Sequence, residues 1–340
     1  MSAAEGERMV LKNQVAVVAG ATRGAGRGIA RALAEAGAIV YCTGRSTRGH
    51  PSPYNRPETI DETAEMIAAA GGTAIPVRVD HTKEAEVEAL FARVDSEHGR
   101  LDVVVDSVGG ENPLMKQWGW FWTIDLANGS AVFEQSLLSH IITAKHAARL
   151  MTRDRRGLIV EVTESDVLGA GGNPLAQTVK LALKGLAMTM AAELKPYGVT
   201  TVAITPGYLR SETMLEHYGV AEANWRDAVK QDSNFACSET PLFVGRAVAA
   251  LAADPDVIRH TGQLLSSWEL SREYAFADVD GRRPDWGQHE IDWSDFPESF
   301  LEYFRAGGEI QTKWLDTLSK RTNAFAAKVP RRAAPTPEET

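Results

Sequence analysis

Continuous runs of apolar, mostly β-branched residues recur along the chain at Val15–Val18, Ile39–Cys42, Ala74–Val79, Val103–Val105, Leu158–Val162 and Val199–Ile204. Hydrophobic positions that follow one another without alternation fit strands covered on both faces. The stretches between them are rich in Ala, Leu and Glu at helical spacing. Thr178–Leu194 is the clearest, with Leu181, Leu183, Leu186 and Met190 among its apolar positions. Strand and helix in alternation predict an α/β protein: a doubly wound parallel sheet between two helix layers, joined by right-handed crossovers.

Two segments break the rhythm. Ser46–Glu58 is polar and carries Pro51, Pro53 and Pro57, so it is predicted as a long loop. From about Gly287 the alternation stops; Pro297–Arg305 and Ile310–Lys328 are predicted as separate helices and 329–340 as a disordered tail. The organisation expected is an N-terminal segment (1–10) and one α/β domain (11–285) with a covering segment near 208–240. A helical C-terminal extension (286–328) and the tail (329–340) follow.

Composition narrows the function classes. A formal net charge of -9 and no local Lys/Arg block argue against nucleic acid as a partner. No run reaches the roughly 18 apolar residues of a membrane span, and Met1–Met9 lacks the apolar centre of a signal peptide. The two cysteines, Cys42 and Cys237, stand far apart and offer no metal-ligand spacing. A reduced, cytoplasmic protein with no metal site is expected, acting on a small molecule.

Candidate chemistry begins after the first apolar run. Gly20-Ala21-Thr22-Arg23-Gly24-Ala25-Gly26-Arg27-Gly28 leads into the helical pattern Ile29–Ala36. Glycines there let the chain turn tightly and bring a pyrophosphate to a helix N-terminus, where free N–H groups favour an anion. Gly20, Thr22, Arg23, Gly24, Ala25 and Gly26 are assigned to the cofactor, and the domain is predicted as Rossmann-type. The second run ends in Thr43-Gly44-Arg45-Ser46. An NAD site would place Asp or Glu here for the ribose 2′-hydroxyl. Without that carboxylate, Arg45 and Ser46 are free to meet a 2′-phosphate, with Arg23 as a second charge, which predicts NADP(H).

Together with Asp80 after the third strand, Lys180 on the long helix and Pro206-Gly207 after the sixth strand, this pattern resembles the short-chain dehydrogenase/reductase family over most of residues 11–285. Thr261–Leu265, Leu270–Tyr274 and Asp278–Gly281 resemble the branch containing dehydrogenase/reductase family member one. The resemblance implies that Asp80 accepts a hydrogen bond from the adenine amino group and that Lys180 holds the nicotinamide ribose hydroxyls. It also implies that Pro206, Gly207 and Ser211 pass beside the nicotinamide, with Ser107 among the cofactor-binding positions. A homodimer or homotetramer paired through the long helix is a further implication. Read alone, Asp80 serves as well to cap the helix Lys83–Val94.

The catalytic positions depart from that pattern together. An Asn-Asn-Ala-Gly-like stretch is replaced by Asp106-Ser107-Val108-Gly109, the asparagine position falls on Ser136, and the serine position falls on Glu164. The tyrosine expected four residues before Lys180, on the same helix face, is Ala176. Glu164 is the first candidate to replace it as proton donor, if burial beside the nicotinamide raises its pKa. Tyr208 is the second; Asp106, Asp166, Gln177 and His217 stand in reserve. The aromatic run Trp118–Trp122, and Met214, His217, Tyr218, Trp225 and Phe235, suit a sizeable apolar or aromatic substrate. The reading is NADP(H)-dependent carbonyl reduction or alcohol oxidation with Lys180, Glu164, Ser136 and Tyr208 as catalytic candidates. The alternatives are a non-redox isomerase or lyase using Glu164 or Asp106, and a catalytically silent NADP-binding protein.

Overall fold

All six apolar runs become strands of one parallel sheet in the computed structural model, which describes residues 10–109, 121–127, 129–165, 173–294 and 298–328. The strands are β1 (Val15–Ala19), β2 (Ile39–Gly44), β3 (Thr73–Arg78), β4 (Val103–Asp106), β5 (Gly157–Val162), β6 (Val199–Thr205) and β7 (Leu264–Ser266). Their order in space is β3-β2-β1-β4-β5-β6-β7, all parallel. The chain direction across the sheet switches between β1 and β4, where such sheets open a crevice at the strands' carboxyl ends. β7 was not anticipated from the sequence. Its three residues are too short to show a pattern, and its strand character comes from the ladder to β6, Leu264 lying beside Ala203.

The α-helices of six residues or more are α1 (Gly24–Glu35), α2 (Ile60–Ala69), α3 (Glu84–His98), α4 (Ser139–Asp154), α5 (Pro174–Leu194), α6 (Glu212–His217), α7 (Pro241–Ala253), α8 (Ser267–Tyr274) and α9 (Glu298–Ala326). Side chains alternate across the sheet, so one strand feeds two cores. Ala16, Val18, Val40, Val103 and Val105 pack with Ile29 and Leu33 of α1 and Val244 and Val248 of α7. Val15, Val17, Tyr41 and Val104 pack with Leu90 and Phe91 of α3 and Met151 of α4. Each such fully buried side chain contributes on the order of 1.5–3 kcal/mol, which is why the runs are continuously apolar. α1 and α7 touch backbone to backbone: a Cβ on Gly28 would overlap the Pro241 carbonyl, and one on Gly245 the Gly28 carbonyl.

Ser46–Glu58 is a loop, as expected, closed by the Ile60 N–H on Ser46 O at 3.0 Å. The chain divides into two compact units, Met1–Asp292 and Trp293–Thr340. The first therefore carries past residue 285 to Asp292. In the second, one continuous helix replaces the two predicted. Gly307 and Gly308 lie within it, and each costs a helix only about 1 kcal/mol relative to alanine. Trp293 and Phe304 meet within this unit with ring centroids 5.4 Å apart. Residues 1–9, the Trp118–Trp120 part of the aromatic run, Asp166, Phe296 and the tail 329–340 lie outside the described residues. Among the described residues, no helix is long and apolar enough to cross a membrane.

Candidate active site

β1 runs into Gly20, whose φ of +82° favours glycine, and a Cβ there would come 2.5 Å from Ser107 O. A Cβ on Gly26 would collide with the Gly20 carbonyl. Glycine is thus required where β1, β4 and the start of α1 converge, and a close backbone cradle results. The N-terminus of α1 is already partly used by the protein. Gly24 N–H donates to Glu212 Oε2 at 2.7 Å, and Arg27 lies 2.7 Å from Glu62 and 3.4 Å from the same Glu212. Glu212 follows Ser211, whose hydroxyl caps α6, so the segment after Pro206-Gly207 is tied directly to the glycine loop.

The two arginines assigned to a 2′-phosphate differ. Arg23 Nε donates to Glu58 at 3.0 Å, while its Nη2 is buried without a partner. Arg56 holds Glu58 from the other side and also pairs with Glu216 of α6. Arg45 makes no hydrogen bond or ion pair with a described residue, and its charge is felt by Asp80. Asp80 does not cap α3, whose N-cap Lys83 has no side-chain cap; its Oδ1 accepts from Thr82 N–H at 3.0 Å and Thr82 Oγ1 at 2.7 Å in the turn just before that helix. Partial burial raises this carboxyl, but the Thr82 bonds and the charges of Arg45 and Lys83 win, holding it below its usual range.

At the positions around the expected nicotinamide, Ser136 occupies a π-helical turn, Glu134–Leu138, ahead of α4. It is buried and donates to Gly109 O at 3.1 Å; at Gly109, with φ +102°, a side chain would overlap that hydroxyl. π-turns of this kind are frequent at functional sites. α5 begins where Pro174 stands at N1 and Asn173 accepts from the N–H groups of Leu175 and Ala176. Leu175, Val179, Leu183, Ala187 and Ala191 form its buried stripe, which leaves Ala176 and Lys180 together on the adjoining, half-exposed face. Thr163 Oγ1 donates to Lys180 O at 3.0 Å and fastens the end of β5 to α5. The Lys180 ammonium has no partner among the described residues.

Glu164 is exposed at the carboxyl end of β5. Tyr208 sits inside a cluster with Trp225, Phe235 and Tyr218, and its phenol donates to Asp232 at 2.7 Å. Burial and the bonds to Tyr218 and Asp232 push its pKa upward, so it holds its proton firmly. His217 lies exposed at the end of α6, edge-on to Tyr218 at 4.9 Å.

Behind this surface Asp106, held in reserve from the sequence, meets buried groups that were not singled out there. Asp106 ends β4 in register with Glu161 of β5, and His140 of α4 approaches both. All three side chains are fully buried. His140 lies 2.6 Å from Glu161 through Nδ1 and 3.1 Å from Val108 O through Nε2. Burial would lower His140, yet the Asp106 and Glu161 charges hold it above its ordinary range; burial, with Glu161 beside it, raises Asp106. Next to them His81 bridges Thr43 and Thr143 at 2.8 Å each, and burial drops its pKa to about 3, leaving it neutral. A second buried acid, Glu239, accepts from Gly207 N–H at 2.9 Å and Ser267 Oγ at 2.6 Å, and burial lifts it to about 8. The available signal was a carboxylate inside a strand apolar on both faces, Glu161, which requires a partner.

The short chain dehydrogenase family profile matches residues 14–219. Dehydrogenase/reductase SDR family member 1 of Mus musculus is 36% identical over 277 residues, 80% of this chain and 85% of that protein. Among solved structures, actinorhodin polyketide ketoreductase with NADPH superposes with a TM-score of 0.60 at 25% identity, over 74% of this chain and 95% of the other. An NADPH-dependent reductase involved in bacilysin biosynthesis also shares the fold, with a TM-score of 0.60 at 21% identity over 74% and 96% of the two chains.

Proposed function

The chain belongs to the short-chain dehydrogenase/reductase family, and on that premise we propose that it is an NADP(H)-dependent oxidoreductase whose proton donor is not the family's usual tyrosine. Its substrate in this reading is a carbonyl or alcohol on a sizeable apolar or aromatic small molecule. The observation that carries the cofactor choice is Arg45: a guanidinium without a partner among the described residues, at the end of β2, where an NAD site would hold a carboxylate. The related ketoreductase solved with NADPH is consistent with it. Gly20, Gly24, Ala25 and Gly26, with Thr22, would cradle the pyrophosphate, and Arg45, Ser46 and the free nitrogen of Arg23 the 2′-phosphate. Asp80 and Ser107 would flank the adenosine and ribose side, and Pro206, Gly207 and Ser211 the nicotinamide. NADP(H) supplies or takes the hydride when bound.

The remaining work falls to the chain's own side chains. Lys180 would orient ribose hydroxyls, its ammonium having no partner among the described residues. Ser136 holds the Gly109 carbonyl and so positions the loop after β4. Glu164, exposed at the carboxyl end of β5, would give or take the proton at the substrate oxygen once substrate covers it and withdraws it from water. Tyr208 is less suited, since its proton is shared with Asp232. Ala176 is what favours the second reading, cofactor binding with a non-redox step or none, because the position facing Lys180 carries no acid. A cytoplasmic homodimer or homotetramer pairing through α5 accords with exposed Met188 on that helix and with two free cysteines.

Fluorescence titration of the full chain with NADPH and with NADH tests the cofactor, and a panel of aromatic ketones and aldehydes followed by NADPH absorbance tests the reaction. Tighter NADPH binding with turnover is expected. Preference for NADH would overturn the cofactor assignment, and NADPH binding without turnover on any member would select the second reading.

A further inference from the structure

Asp106, His140 and Glu161 come from β4, α4 and β5, and their potential ligand atoms all lie within 4.8 Å of one another. Each side chain is sealed from solvent. Their hydrogen bonding is incomplete among the described residues: Asp106 Oδ1 and Oδ2 and Glu161 Oε1 lack a partner of good geometry, with only the Thr143 hydroxyl beside Asp106, and Glu161 Oε2 is engaged by His140 Nδ1. The nearby Thr143 hydroxyl donates to Ser139 O at 2.7 Å and meets His81.

Two carboxylates in a dry interior require compensation, since an unpaired buried charge is strongly unfavourable. Protons neutralise charge but do not complete the bonding here. A proton on Asp106 has the Thr143 hydroxyl and the Glu161 carboxylate as neighbouring acceptors, yet the second Asp106 oxygen is still left without a donor among the described residues. A divalent cation compensates both charges at once and draws one lone pair from each of the three groups. The imidazole is already set for this. Its Nε2 faces the Val108 carbonyl, which only accepts, so Nε2 carries hydrogen; Nδ1 is the atom turned to the carboxylates, and the proton it shares with Glu161 is the one a metal would displace. A ring N–H on a backbone carbonyl is the outer contact that commonly fixes a metal-binding histidine.

We infer that Asp106, His140 and Glu161 form a buried site for one divalent transition-metal cation. One imidazole nitrogen with two carboxylates suits zinc and its first-row neighbours over calcium or magnesium, which prefer oxygen alone. Ligand bonds of about 2.0–2.2 Å need the three groups to draw together on binding. The metal would lock β4, β5 and α4 under the Ser107–Gly109 loop, against which Gly20 rests. The site is independent of the nucleotide and substrate assignments. Cysteine spacing could not reveal it, because its ligands lie on separate elements.

Zinc is the probe. The full chain is unfolded in denaturant with chelator, refolded with or without Zn²⁺, and analysed for metal after gel filtration. About one Zn²⁺ per chain is expected, with a higher melting temperature than the chelated protein. X-ray absorption of the loaded protein should show one imidazole in a nitrogen/oxygen shell. His140→Gln and Glu161→Gln should lose the metal and the melting shift, and cofactor titration on the same samples reports separately on the nucleotide site. Refolded wild type holding less than about a tenth of an equivalent of Zn²⁺, with its melting unchanged, would mean that only protons occupy the cluster and would overturn the proposal. So would a shell without imidazole or with sulfur, and so would full metal retention by a folded Asp106→Asn/Glu161→Gln variant. The absorption spectrum of wild type decides even if the variants do not fold.

Discussion

Arg23 donates to Glu58 across 3.0 Å, both side chains nearly buried, while Arg45 on the neighbouring loop has no such partner. Two arginines that read alike in sequence therefore have different roles. One is largely a structural cation of the Ser46–Glu58 loop, and the other is available to a ligand. Arg45→Ala is expected to weaken NADPH binding by roughly 10–100-fold, the worth of a charge-assisted contact of about 1.5–3 kcal/mol, and to leave NADH nearly unchanged. Arg23→Ala should instead lower the melting temperature, because it strips Glu58 of a partner. Parallel NADPH and NADH titrations with a thermal melt separate the two. Equal loss of both cofactors in Arg45→Ala would remove the 2′-phosphate assignment.

Gly28→Ala should destabilise the fold without touching the cofactor cradle. Its Cβ would overlap the Pro241 carbonyl, so α1 and α7 must separate. Overpacking of this kind costs typically 1–3 kcal/mol, about 3 kcal/mol or more where the obstacle is backbone. Denaturant unfolding measures it. Gly26→Ala, whose Cβ meets the Gly20 carbonyl, should show the additional loss of NADPH binding.

Glu239 links pH to stability. Burial lifts its carboxyl from an ordinary 4.5 to about 8, so between those values the folded chain keeps a proton that the unfolded chain has released. Stability must therefore fall as pH rises through that window and level off above it. Glu239→Gln retains an acceptor for the Gly207 N–H and cannot ionise, so its stability should decline less steeply between about pH 5 and pH 8. Urea unfolding across that range compares the slopes. Identical slopes would show that Glu239 does not titrate there.

The sheet could be read from the sequence because strands covered on both faces must be apolar at every position, and Val15–Val18 or Val103–Val105 admit little else. The glycine loop was equally open, since backbone approaches within van der Waals distance tolerate only glycine. β7 was hidden because its strand character lies in pairing with Ala203, not in its own residues. α9 is one 29-residue helix where the sequence suggested two, because the apolar pattern is interrupted between Arg305 and Ile310 while the backbone continues through it. The Asp106–His140–Glu161 cluster was out of reach for a deeper reason: β4 and β5 register and the approach of α4 bring together residues 34 and 21 positions apart. Pairings such as Gly24 with Glu212 depend likewise on how the segment after β6 folds back over α1.

The sharpest test of the reaction is Ala176→Tyr. Ala176 stands one turn before Lys180 on the same half-exposed face of α5, whose buried stripe runs through Leu175, Val179 and Leu183. A tyrosine there would not enter the core, so the fold should survive. Its phenol would gain an ammonium neighbour, which favours loss of its proton and suits acid–base work. If the chain is a reductase whose donor is displaced, the variant should speed carbonyl reduction by up to about 10²–10⁴-fold, the usual worth of one positioned acid. It should also lessen the dependence on Glu164. Single-turnover NADPH oxidation of wild type, Ala176→Tyr, Glu164→Gln and the double variant on the same ketone distinguishes the cases. Activity lost in Glu164→Gln and restored in the double variant would establish Glu164 as the native donor. No gain from the tyrosine, with NADPH still binding tightly, would indicate that the pocket is shaped for chemistry other than carbonyl reduction.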